Sequence, residues 1–186
     1  MILFLYASIL AASFALVTCF GEAIGTGKWM VHNIEDLPDN EQYMFRPKCR
    51  RNKLNRTHDC FRCELDLEFD IDNSYGLYID VEKKVDGGYK PYMKMEYECL
   101  CCLLKEKMKD NFEKALTLAE IDPPDCPIPK GSYIIKDFVF DYSELEKTGV
   151  YGMFLAMTYV TNRTTENRLG GLKMNLEFDR FGSDDD

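Results

Sequence analysis

The sequence predicts a mainly β fold, an antiparallel two-sheet sandwich interrupted by one amphipathic helix. Three observations carry this. Apolar and polar residues alternate over several short runs, which is the period of half-buried strands. Turn residues separate those runs. One stretch alone changes to an apolar spacing of four, the period of a helix face.

The clearest strand is "CELDLEFDID". Leu65, Leu67, Phe69 and Ile71 face one side, and Glu64, Asp66, Glu68, Asp70 and Asp72 the other. Asn73 and Ser74 mark a turn. "YGLYIDVEKKV" follows, with Leu77, Ile79 and Val81 inward, then the hairpin signal Asp86-Gly87-Gly88, then a further strand in "YKPYMKMEYECLC". Leu104, Met108, Phe112 and Leu116 define the helix, roughly Leu103 to Ala119, and Pro123-Pro124 follow its end. Strands resume with Tyr133 to Tyr142 and with Gly149 to Val160, where Tyr151, Met153, Leu155, Met157 and Tyr159 share a face. The last strand, "LGGLKMNLEF", places Leu172, Met174, Leu176 and Phe178 together. Gly21 to Asn40 is polar and mixed and reads as a lead-in. No internal repeat is visible.

The chain has 186 residues, enough for one domain with a sizeable core. A hydrophobic fraction of 46% argues against disorder. The net charge of −9 repels phosphate backbones and argues against a nucleic-acid partner. The chain is apolar from Ile2 to about Phe20 and acidic soon after, so residues 1–21 read as a signal peptide. No later segment is apolar enough to span a bilayer. The expected domain is 22–182, with an acidic tail at 183–186.

Export is also suggested by two glycosylation sequons, at Asn55 and Asn162. In an oxidising compartment cysteines are disulfides more often than metal ligands. Seven remain after the leader: Cys49, Cys60, Cys63, Cys99, Cys101, Cys102 and Cys126. Seven is odd, so one thiol is free or pairs between chains.

The order Cys126-Pro127, Gly131, Tyr133, Gly149, Tyr151 and "LGGLKMNLEF", with "LYIDVEKKVDGGYKPYM" before it, resembles the ganglioside-activator branch of the ML lipid-recognition family. "YKPYM" and "CPIPKGSYIIKDF" are similar to insect secreted relatives, the chemosensory Che-type proteins among them. The resemblance covers about Leu65 to Phe178. It implies an immunoglobulin-like β-cup holding acyl chains, and a disulfide from Cys126 to Cys101 or Cys102. The branch has a further cysteine in its last strand, where this chain has Gly171. Cys49, Cys60 and Cys63 are additional, and are expected to bond within the first hairpin or to Cys99.

On this basis Leu67, Phe69, Ile79, Met153, Leu155, Met157, Met174 and Leu176 are the expected ligand-lining residues. Leu104, Met108 and Phe112 form either a simple cover over the core or a lid. The surplus of apolar rows, with nine Met beside twelve Phe, suits a site for varied acyl chains. Arg46, Lys48, Arg50, Arg51, Lys53 and Arg56 form the only basic cluster, either a solvated hairpin or a contact for an anionic head group or membrane surface. His58-x-Cys60-x-x-Cys63 mimics a zinc half-site or a redox motif without the surrounding pattern of either. No Ser-His-Asp or Cys-His set appears, so the expectation is no enzyme, no metal and no cofactor. The expected function is a secreted carrier of a lipid or pheromone-like ligand, with a membrane surface or receptor as further partner. The alternative is an extracellular protein-interaction module with a solidly packed core.

Overall fold

The computed structural model describes residues 23–53 and 59–181. The expected signal peptide, the Asn55 sequon, Arg56, His58 and the acidic tail lie outside the described residues. Nine strands and two helices are described: β1 (Ile24–Asp36), β2 (Lys48–Lys53), β3 (Asp59–Leu67), β4 (Tyr75–Val85), β5 (Gly88–Tyr97), α1 (Leu100–Lys107), α2 (Lys109–Leu118), β6 (Gly131–Phe138), β7 (Thr148–Val150), β8 (Gly152–Asn162) and β9 (Asn167–Arg180). They form two antiparallel sheets, one of six strands in the order β5-β4-β8-β9-β1-β7 and one of three in the order β2-β3-β6. The mainly β sandwich expected from the alternation is therefore the fold, and its larger sheet is strongly curled.

The β4–β5 hairpin forms where Asp86-Gly87-Gly88 predicts it. Val85 pairs with Gly88, and both glycines take the positive φ that such a tight turn requires, 91° at Gly87 and 113° at Gly88. The alternating row after Cys63 behaves as expected in burial but not in length. Leu67 and Ile71 are buried in one cluster, with Leu65 and Phe69 packed against it. Regular pairing nonetheless stops at Leu67, and Ile71 makes a single bridge to Ile128.

The stretch read as a lead-in is largely a strand. β1 pairs with β9 along most of its length and with β7 at its start. Its apolar residues, Trp29, Val31 and Ile34, do not keep one parity because the register shifts between Val31 and Asn33. A bulge of this kind erases the period-2 signal in the sequence.

The single helix expected from Leu103 is two. α1 starts earlier, at Leu100, because Cys99 serves as its N-cap and its Sγ accepts from the Cys102 N–H at 3.1 Å. The break falls at Met108 (φ −144°, ψ 42°), yet Met108 N–H still reaches Leu104 O and Phe112 N–H reaches Met108 O. Phe112 and Leu116 pack with Ile135, so α2 covers the three-stranded sheet.

Candidate functional site

The concave face of the six-stranded sheet holds an apolar cavity of about 810 Å³. Trp29 and Val31 of β1, Ile79 and Val81 of β4, Met93 and Met95 of β5, Phe154 and Ala156 of β8, and Met174 and Leu176 of β9 line its wall. Strand register explains the set. Ile79 opposes Met95 on one side and Thr158 on the other, Ala156 opposes Met174, and Phe154 opposes Leu176. Directly opposed residues in an antiparallel sheet point to the same face, so five strands present one continuous apolar surface.

Among the described residues, the three-stranded sheet contributes none of the lining. The cavity is bounded instead by Glu106 and Lys107 at the end of α1 and by the strap Glu144, Leu145, Glu146 and Lys147 before β7. Its edge is charged. Lys107 and Glu106 lie 2.7 Å apart, and Glu106, followed by Tyr97 and Glu146, holds the Lys107 ammonium above its ordinary value.

The strap is anchored from below. Asn111, 3% exposed, is the only buried polar residue among those described. Its side chain bonds the backbone of Asp141, and Glu144 Oε1 accepts from Asn111 N–H at 3.0 Å at the start of α2. A carboxylate at that position meets the free amides and the positive end of the helix dipole. Asp141 in turn caps the short 3-10 turn Tyr142–Glu144 by accepting from Ser143 N–H at 2.8 Å.

Of the expected lining residues, Ile79, Met174 and Leu176 are on the cavity wall. Met153, Leu155 and Met157 are not, and the reason is the parity of β8. Tyr151 falls between β7 and β8, where the chain changes its pairing partner, and its side chain turns to stack on Phe178 at 5.6 Å. Beyond it the even residues Phe154 and Ala156 are buried on the cavity side, whereas the odd residues Met153, Leu155 and Met157 are only partly buried. The odd row lies on the other face of the sheet, opposite Glu177, Asn175 and Lys173 of β9. Both rows are apolar, so alternation could not choose between them.

Leu67 borders a different cleft, a polar one between Asp36–Gln42 and the edge of the small sheet, with Arg46, Lys48, Asp66 and Glu68. Phe69 stacks on Tyr75 at 4.9 Å, away from the cavity. Leu104 and Phe112 are packed into the helix-facing core, and Met108 marks the helix break; none of the three is on the cavity wall, and the α1 residues there are the polar Glu106 and Lys107. Sequence reasoning missed Trp29 and Val31, hidden by the β1 bulge, Phe154 and Ala156, hidden by the parity of β8, and Met93 and Met95 of β5, a strand to which no face was assigned.

The disulfides are Cys101–Cys126, Cys49–Cys63 and Cys99–Cys102, with Cys60 a buried free thiol. The first is one of the two pairings the resemblance implies. Cys49–Cys63 closes the β2–β3 hairpin internally, across directly opposed positions. Since Cys63 is bonded to Cys49, Cys60-x-x-Cys63 is not a redox pair. Gly171 has no room for the cysteine found in the ganglioside-activator branch, because a Cβ there would collide with the Thr158 carbonyl. The basic cluster is divided: Lys48 and Arg50 are exposed, while Arg51 turns inward and donates to His32 O at 3.0 Å. Asn162 lies at the exit of β8, its side chain accepting from Thr164 and Thr165 N–H in the surface turn.

No protein-family model matches the chain, and no curated protein matches it.

Proposed function

We propose that this protein binds a hydrophobic small molecule, a lipid or pheromone-like amphiphile, and carries it in the cavity of the six-stranded sheet. The observation that supports this is the cavity itself. Its wall is almost wholly apolar, its edge is charged, and about 810 Å³ lies within the roughly 300–1,000 Å³ usual for small-molecule sites. A sixteen-carbon tail removed from water there would gain, at ~0.8 kcal/mol per CH₂, on the order of 12 kcal/mol before ordering costs. Such a site needs few polar contacts and no chemistry. The polar end of an amphiphile would sit by Glu106, Lys107, Glu144, Glu146 and Lys147.

The β-sandwich and the Cys101–Cys126 bond agree with the resemblance to the ML lipid-recognition family, and membership of it is part of this proposal. So is secretion: three disulfides suit an oxidising setting, and among the described residues no helix is long and apolar enough to cross a membrane. The rival, a protein-interaction module, calls for a filled core. The test is mass spectrometry of organic extracts from protein purified from a eukaryotic host, with native mass spectrometry of the intact complex. Stoichiometric acyl or hydrocarbon ligand supports the carrier reading. Protein that emerges empty and takes up no fluorescent fatty acid overturns it.

A further inference from the structure

Three disulfides are present among the described residues, and one differs from the others in exposure, spacing and position. Cys102 is exposed and Cys99 half-buried, whereas Cys101 is 1% and Cys49 9% exposed. The Cys99–Cys102 bond spans a sequence separation of 3, against 14 and 25 for the other two. It is a Cys-x-x-Cys pair set on the first turn of an eight-residue helix, with Cys99 at the N-cap and its Sγ already accepting from the Cys102 N–H.

We propose that Cys99–Cys102 is a reversible thiol–disulfide exchange site whose co-reactant is a low-molecular-weight thiol of the glutathione class. The geometry assigns the roles. Cys102 is the more exposed residue of the pair, so an external thiolate attacks its Sγ. The sulfur–sulfur bond breaks and Cys99 leaves with the electron pair. As a thiolate at the N-cap, Cys99 faces the helix amides and the positive end of the dipole, which makes it the better leaving group. A second external thiolate then attacks the sulfur of the bound thiol, releasing the external disulfide and freeing Cys102. The two protein thiolates take up the two protons given up by the external thiols. Two electrons enter the protein, and two external thiols become one disulfide.

The fold tolerates this opening. A ring this small restrains little of the unfolded chain's entropy, and α1 remains fastened to Cys126 through Cys101. The free thiol Cys60 is buried at 3% exposure and serves as an internal control for unfolding. The proposal does not depend on the cavity holding a lipid.

The experiment uses the intact protein in glutathione buffers of graded ratio, quenched with N-ethylmaleimide and mapped by peptide mass spectrometry. Cys99 and Cys102 should be labelled together at least ~10-fold faster than any other bonded pair, with Cys60 unlabelled and the circular dichroism unchanged. The transient glutathione adduct should be on Cys102. A Cys99→Ala/Cys102→Ala variant should keep the fold and lose the fast phase. Opening of all three bonds at one rate, or only as Cys60 becomes labelled, would overturn the proposal. An adduct found on Cys99 would overturn the assignment of the attacked sulfur.

Discussion

Asn111 holds the backbone of Asp141 from both sides: its Nδ2 donates to Asp141 O at 2.9 Å and its Oδ1 accepts from Asp141 N–H at 2.8 Å. This paired amide contact connects the buried start of α2 to the strap that borders the cavity. Only Asn among the residues of its size offers one donor and one acceptor side by side at that reach. The contact fixes where Glu144 and Leu145 stand, and therefore how the cavity is closed on that side.

Asn111→Ala leaves the Asp141 amide and carbonyl without their partners. Asp141 is exposed and the two bonds are part-buried, so water can replace part of them. The loss should be that of ordinary hydrogen bonds, about 0.5–1.5 kcal/mol each at most, and the variant should melt lower and unfold at lower urea. Asn111→Asp should fare no better, since a carboxylate cannot donate to Asp141 O. The strap should also exchange its amides faster, measured by hydrogen exchange of 141–147. An unchanged urea midpoint with unchanged exchange would show that the contact does not hold the strap.

The parity of β8 makes the cavity testable from both faces of one strand. Thr158, on the same face of β8 as Ala156, lies half-buried on the cavity wall. Thr158→Phe extends a ring into the cavity and should abolish uptake of a fluorescent fatty acid, with a loss of stability limited to the hydroxyl's bond to Leu172 O. A filled core would instead be overpacked, at a cost of roughly 1–3 kcal/mol. Leu155→Trp, on the opposite face, should leave uptake within about twofold of the parent. Equal effects of the two substitutions on uptake would place the ligand elsewhere.

Much of the fold was readable because it rests on local signals. The Gly87-Gly88 turn, the row Leu77-Ile79-Val81 and the row Leu172-Met174-Leu176-Phe178 each needed only alternation and turn chemistry. The cavity was half readable. Ile79, Met174 and Leu176 sit on strands with one apolar row, where burial leaves no choice. β8 has two apolar rows, and the change of pairing partner at Tyr151 decided which one faces inward. β1 was hidden by the Val31/Asn33 register shift and by Gly25 and Gly27, which carry no side chain to signal a face. The Cys99–Cys102 pair was overlooked beside Cys60-x-x-Cys63, which has the same spacing in the sequence but has its second cysteine bonded across the hairpin.

The Cys101–Cys126 bond should be the most stabilising of the three. It spans a sequence separation of 25, for which loop-entropy estimates give ~3 kcal/mol. It also joins α1 to the segment entering β6, and so ties the two packed clusters around Leu100 and Phe112 together. A Cys101→Ala/Cys126→Ala double variant should lose about that much in urea denaturation. Cys99→Ala/Cys102→Ala should lose less. The reverse order would refute the ranking.

The strap should also loosen in acid, and the sign follows from Asp141. Its hydrogen bonds to Ser143, side chain first and then backbone, hold the carboxyl below its ordinary value, with Lys114 and Lys147 adding to the effect against partial desolvation. A folded-state pKa below the unfolded one means the stabilisation is fully present above the unfolded value of about 3.9. It is lost as pH falls through the lowered folded value. Asp72, held low by Ser74, and Asp125, held low chiefly by Lys105, lose their contributions in the same direction. The informative quantity is therefore a difference between two proteins. Asp141→Asn keeps an oxygen that can accept from Ser143 N–H but removes the titration. Urea midpoints of parent and variant, measured from about pH 6 down to about pH 2.5, should differ by a constant amount above the carboxylate range. Below it the parent should lose ground to the variant. A difference that stays constant over the whole range would show that Asp141 does not contribute to the acid sensitivity of the strap.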